Sequence, residues 1–285
     1  MRMSLLRFAK RPLIYFLILF QFTGCATNLH RVERSSLANQ DISNEIALGK
    51  QIHGLIVSKI PVCNNEQVID YVREIGTSLA RFAKRQELEY QFIVLQDDRI
   101  YATSAPGGFV YITTGFLLFL NNESELAYVL AHEIGELQFK NPRLSQTRAI
   151  FEKLLKGGAL VAPVFGNIGA LAMIGFVSIY AITDGDISRE KKLYQADAKS
   201  LDFMMKANYD PQGAIDVFYK MINATPKELM YLYDFYQTHP VTTTRLGKLE
   251  SEFSKLKLNN KTFNTNRSHF LAMINPLKPP VLTTA

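Results

Sequence analysis

Apolar residues recur at helical spacing from about residue 38 to 60 (ANQDISNEIALGKQIHGLIVSKI), where Pro61 ends the run, and a second helix is predicted over 65–84. Residues 90–98 (YQFIVLQDD) and 108–114 (GFVYITT) alternate and are rich in aromatic and β-branched types. With SAPGG between them as turn chemistry, they are predicted to form a small hairpin or meander. Helical pattern then dominates, over 123–139, 143–156, 190–206, 211–221 and 243–257. The tail from Asn259, with Pro276, Pro279 and Pro280, is expected as an extended, loosely packed strap. No repeat recurs at a period of 20 to 50 residues, which excludes a solenoid. The pattern as a whole predicts an α+β domain, mainly α with a small β-sheet.

Two apolar runs need separate treatment. Residues 157–183 (GGALVAPVFGNIGALAMIGFVSIYAIT) carry no charge and exceed the length of a membrane span. Pro163 and the Gly166/Asn167 break divide them into short arms, so the segment reads as an inserted helical hairpin, either buried or dipping into lipid. At the N-terminus, a basic stretch (MRMSLLRFAKRP) precedes an apolar core (LIYFLILFQF) that is shorter than the ~20 residues a spanning helix needs. This is the layout of a secretory signal over 1–24, and FTGC resembles the lipobox of bacterial lipoproteins, which makes Cys25 the expected lipidation site. A linker over 25–39 would follow, then the domain over 40–258 and the tail over 259–285. The expected location is the periplasmic face of a bacterial envelope, as an outer-membrane lipoprotein, since Ala26 and Thr27 rather than Asp follow the cysteine.

Charge and cysteine content narrow the partners. Arg2, Arg7, Lys10 and Arg11 all lie in the leader, and without these four the balance falls from +6 to +2. No basic block or aromatic-interleaved basic stripe remains, so nucleic acid is not an expected partner. With Cys25 lipidated, Cys63 has no intrachain partner and is expected to be a small buried apolar residue.

The chemistry lies in ESELAYVLAHEIGELQFKNPR, residues 123–143. On a helix, positions 132 and 136 share a face one turn apart, the spacing at which two side chains grip one metal ion. In HExxH the histidines bind zinc and the glutamate is general base. Here the residues are His132, Glu133 and Glu136: the base is kept and the second imidazole is replaced by a carboxylate.

At this point the sequence resembles metallopeptidase family forty-eight, the gluzincin group of CAAX prenyl proteases and periplasmic barrel-assembly proteases. Five ordered blocks carry the resemblance: ALGKQI, YATSAPGGFVYITTGFL, ELAYVLAHEIGE, SREKKLYQADAKSLDFMMKANYDPQGA and THPVTTTRLGKLE. It implies a gluzincin-type domain whose small β element edges a substrate cleft. It also implies that His132 is the first zinc ligand, Glu133 the base, and His239 a cleft residue that touches the metal or the reacting carbonyl. The third ligand is normally the glutamate of ExxxD, and four residues before Asp197 stands Leu193, which cannot bind metal. Glu190, one turn earlier, is the nearest substitute, and Asp197 is either an orienting residue or a local cap. Pro106, Gly107 and Gly108 form either the cleft edge or a hairpin turn. Lys191 and Lys192 are expected on a solvated face, or neutralising Glu136.

With two of three ligands replaced, zinc binding is expected to be weak or absent. The resemblance then implies an exported pseudo-peptidase that binds polypeptides or envelope partners in its cleft. The alternative is an active metalloendopeptidase of envelope protein quality control, with His132, Glu136 and Glu190 or His239 on the ion.

Overall fold

The computed structural model describes residues 40–139, 189–258 and 261–278. The expected leader, Cys25, the helix over 143–156 and the apolar hairpin over 157–183 lie outside the described residues. The chain divides after Asn44, and Glu45 onward forms the unit to which the contacts below belong.

In chain order the helices are α1 (40–59), α2 (Glu66–Ala80), α3 (Thr114–Phe119), α4 (Glu123–Glu136), α5 (Arg189–Lys206), α6 (Gln212–Ile222), α7 (Pro226–Thr238), α8 (Thr243–Ser254) and α9 (Arg267–Ile274). The strands are β1 (Gln91–Leu95), β2 (Ala102–Ala105) and β3 (Phe109–Thr113). Local chemistry sets the helix starts. The side chains of Asn65, Asn122 and Thr242 each accept a hydrogen bond from a first-turn amide of α2, α4 and α8. Thr225 and Glu228 form a capping box behind Pro226 at the start of α7.

Helix α4 is buried along its whole length, so its neighbours cover every face of it. Against α5 the approach is close, because Gly135 has no side chain: a Cβ there would meet the Ala196 carbonyl oxygen at 3.0 Å and its Cα at 3.1 Å. The expected ELAYVLAHEIGE helix and the later helix bearing Asp197 are therefore nearest neighbours at the point where the chemistry sits.

The sheet differs from the expected pairing. Its order is β1–β3–β2, with β1 parallel to β3 (Gln91 opposite Phe109) and β2 antiparallel to it (Ala105 opposite Phe109). The two stretches legible from their alternation are thus parallel neighbours, and the hairpin joins β3 to an unexpected strand, ATSA. That strand is short, small and buried throughout, so it lacks the alternation that marks a half-exposed strand. Gly107 and Gly108 turn the hairpin with φ of 83° and 98°.

The tail also differs. Residues 267–274 are helical, with Phe270 and Ile274 buried at their four-residue spacing, and Asn264 bridges to Tyr209. The expected loose strap is in fact part of the core from Asn264 to Ile274. Helices α3, α7 and α9 all escaped the periodicity reading. Cys63 is a buried free thiol, as expected.

Phe270 is fully buried, so Phe270→Ala is expected to cost about 3 kcal/mol in chemical denaturation. An unchanged midpoint would show that α9 is not part of the folded unit.

Candidate metal centre

Helix α4 presents His132, Glu133 and Glu136 to one buried point, and the C-terminal end of α7 brings in His239. One ligand atom from each of His132, Glu136 and His239 lies within 4.8 Å of the others. His239 Nε2 is 3.4 Å from Glu133 Oε1 and 3.6 Å from Glu136 Oε1, and His132 Nε2 is 3.8 Å from Glu136 Oε1.

Neighbouring groups orient both imidazoles. His132 Nδ1 lies 2.8 Å from Asp197 Oδ1, and Nε2 lies 3.4 Å from Arg245 Nη2 and 3.8 Å from Glu136 Oε1. Asp197 is itself gripped by Arg245, through Nε at 2.7 Å and Nη2 at 2.8 Å, and it accepts from the Tyr128 hydroxyl at 2.9 Å. Burial would raise the Asp197 carboxyl, but the charges of Arg245 and His132 win and hold it below the usual carboxylate range. On the other side, the Thr238 hydroxyl donates to the Phe235 carbonyl and lies 2.9 Å from His239 Nδ1. With its proton on that carbonyl, the hydroxyl would accept from Nδ1–H and leave the Nε2 lone pair facing the two glutamates. His239 stacks on Phe235 at 4.6 Å, which fixes the ring plane.

His239 Nε2 and Glu133 Oε2 are buried without a hydrogen-bond partner. Burial and the Glu136 charge push the Glu133 carboxyl well above its ordinary value, while burial lowers His239 to about 4. For Glu136 burial acts upward, but His239, His132 and Arg245 together hold it low. A bare imidazole nitrogen facing buried carboxylates is a place that a cation relieves. Two imidazoles and one carboxylate, each imidazole oriented through its other nitrogen, fit zinc in number and type.

Among the expected site residues, the structure brings together His132, Glu133, Glu136 and His239. Glu190 is not with them: it lies on the exposed face of α5 and accepts from Tyr194, four residues on. Leu193 fills the ExxxD glutamate position as a core side chain, 1% exposed. Pro106, Gly107 and Gly108 are the β2–β3 turn, buried beneath α1, where the Gly107 amide reaches Glu45 and Gly49 passes against the Pro106 carbonyl. A β residue that faces the centre is Ser104 of β2, which with Arg245 acts to lower Glu133 against burial and the Glu136 charge. Lys192 is buried rather than solvated. Arg245, Tyr128 and Thr238 were given no role from sequence; Tyr128, four residues before His132, and Arg245, in the block that holds His239, carried the available signal.

Beside the centre, an apolar pocket is walled by Phe116, Phe218, Met221, Phe235 and Val241, with His132, Glu133 and Arg245 along one side.

A family model described as Peptidase family M48 matches residues 66–253, more than half of the chain, and spans every residue of the centre. The chain belongs to peptidase family M48. A beta-barrel assembly-enhancing protease of Escherichia coli O157:H7 is 22% identical over 253 residues, covering 83% of this chain and 49% of the relative. A putative beta-barrel assembly-enhancing protease of Vibrio cholerae is 24% identical over 219 residues, covering 72% and 43%. The mitochondrial metalloendopeptidase OMA1 of Saccharomyces cerevisiae is 28% identical over 156 residues, covering 53% and 42%. This chain thus spans about half the length of the curated relatives it matches. The expected M48 resemblance and the α+β class hold. Among the described residues no helix is long and apolar enough to cross a membrane.

Because burial lowers His239 to about 4 from 6.5, the unfolded chain binds the extra proton between those values, and stability falls as pH drops through that window. Thermal midpoints of wild type and His239→Gln across pH 4 to 7 check this: the wild-type curve should fall more steeply, and parallel curves would contradict it.

Proposed function

We propose that this M48 chain is an exported, lipid-anchored protein of the bacterial envelope, attached through Cys25, that holds polypeptide segments in the cleft beside α4 and has lost ordinary peptide-bond hydrolysis. The observation that carries this reading is Leu193, fully buried where the third ligand glutamate belongs, with Glu190 turned away from the centre. Zinc would be held by His132, Glu136 and His239, and when bound it would supply Lewis acidity toward a carbonyl and an acidified water. With Glu136 as a ligand, a carboxylate replaces an imidazole and makes that water less acidic. With His239 as a ligand, the imidazole otherwise free to meet the reacting carbonyl is withdrawn from it. On this reading the apolar residues beside the centre, Phe116, Phe218, Met221 and Phe235, face the polypeptide, and they take no part in hydrolysis. The names of the bacterial relatives support envelope polypeptides, such as barrel proteins or a partner protease, as what the cleft takes up.

A second reading has its own observation. The three donor atoms within 4.8 Å are the two-imidazole, one-carboxylate set of catalytic zinc sites, and Glu133 adjoins them as a base. On that reading the chain is a metalloendopeptidase with a rearranged ligand set.

Cleavage of casein by the full-length chain, with zinc content read by elemental mass spectrometry, separates the two. The first reading expects no cleavage by wild type, and cleavage that appears in Glu136→His/Leu193→Glu together with stoichiometric zinc. Wild-type cleavage that is abolished by chelator and by Glu133→Gln would establish the second reading instead.

A further inference from the structure

We propose that Lys84, Lys192 and Lys199, drawn together around Phe139 at the end of α4, form a phosphate-binding site that takes the headgroup of an anionic phospholipid; this goes beyond the reading above and does not rest on it. Lys199 of α5 holds its Nζ 3.9 Å from the centre of the Phe139 ring, and Lys192 Nζ lies 5.6 Å from the same ring. Lys84 joins them from the turn after α2, where its backbone N–H donates to Gln138 Oε1 at 2.7 Å, one residue before Phe139. From Lys84 through Lys199 to Lys192 the residues pass from exposed to half-buried to buried.

The end of α4 does not account for these lysines. A helix C-terminus attracts cations through its open carbonyls, but here the carbonyls are taken. Those of Glu133, Gly135 and Glu136 accept from the amides of Leu137, Gln138 and Phe139, that of Ile134 from the Gln138 side chain, and that of Leu137 from Arg85. The expectation that Lys192 neutralises Glu136 gives way as well, since His239, His132 and Arg245 are the groups that chiefly hold that carboxyl low. Burial lowers the Lys199 ammonium to about 8, and the charge that adds to this is another cation, Lys84. Two ammoniums sharing one ring face a poor substitute for a carboxylate. An anion set among the three lysines relieves their repulsion, and lysine meets phosphate as a point charge. The place in the chain favours lipid as the source of that phosphate. The sequence that follows Phe139 carries the uncharged run 157–183, and lysines at the base of a lipid-dipping run stand at headgroup level, where they attract anionic lipid.

Acetylation of Lys199 in the full-length chain, held in maltoside micelles at about pH 8 and read by mass spectrometry, tests the site. Lys206 of the same helix, ion-paired with Asp202 at 2.7 Å, serves as internal reference. Three additions are compared: phosphatidylglycerol, phosphatidylcholine and inorganic phosphate. A bound phosphate favours the charged form of Lys199, and raising that group from about 8 to about 9 lowers its reactive neutral fraction about fivefold. Phosphatidylglycerol is therefore expected to slow Lys199 labelling about fivefold relative to Lys206, phosphatidylcholine to leave it unchanged, and Lys84→Gln, compared with itself without lipid, to lose most of the protection. Protection by inorganic phosphate but not by phosphatidylglycerol supports the phosphate site and overturns its assignment to lipid. Labelling unchanged by all three additions, protection by phosphatidylcholine equal to that by phosphatidylglycerol, or protection undiminished in Lys84→Gln overturns the proposal.

Discussion

The structure of the centre depends on the Asp197 carboxylate. It ties α4 to α5 and α8 by meeting the Tyr128 hydroxyl, His132 Nδ1 and two nitrogens of Arg245 in one buried place. A charge taken out of water in this way is costly unless fully paired, and Asp197 is paired on both oxygens. The same carboxylate stands against one edge of the His132 ring. Its partners are part of the fold and do not require an ion.

The close packing of α4 on α5 makes that grip possible. Gly135, in the middle of HEIGE, removes the one side chain that would hold the helices apart. The residue beside it, Glu136, then sits in a dry pocket with imidazoles on two sides and the Arg245 charge acting on it. A carboxylate at this position is tolerable only because cations and imidazole nitrogens replace the water it has lost. Conversely, His239 keeps a bare nitrogen facing two carboxylates, since Thr238 engages its other nitrogen. The centre therefore retains an arrangement that favours a cation while also supplying fixed positive groups of its own, and the balance between these sets how firmly an ion is held.

The family relationship sharpens the departure. M48 membership spans residues 66–253, and within that span position 136 is a carboxylate and position 193 an aliphatic side chain. The pocket walled by Phe116, Phe218, Met221 and Phe235 is assembled by α3, α6 and α7 and shares His132 and Glu133 with the centre.

The sequence by itself determined the long amphipathic and central helices, the two alternating strands, the altered metal motif and the α+β class, because each is written in local spacing and capping chemistry. It also determined that position 193 cannot bind metal. Only the tertiary structure decided that His239 rather than Glu190 joins His132 and Glu136, since those residues are over a hundred positions apart and no local pattern fixes their distance. The same holds for the parallel pairing of β1 with β3, for ATSA as a strand, and for the turn at Pro106–Gly108 lying under α1. Helix α9 was hidden because Phe270 and Ile274 alone mark its buried face, too few to outweigh the prolines that follow. Periodicity reports which side of an element is buried; which elements meet there is fixed by packing between distant parts of the chain, and this decided the ligand set.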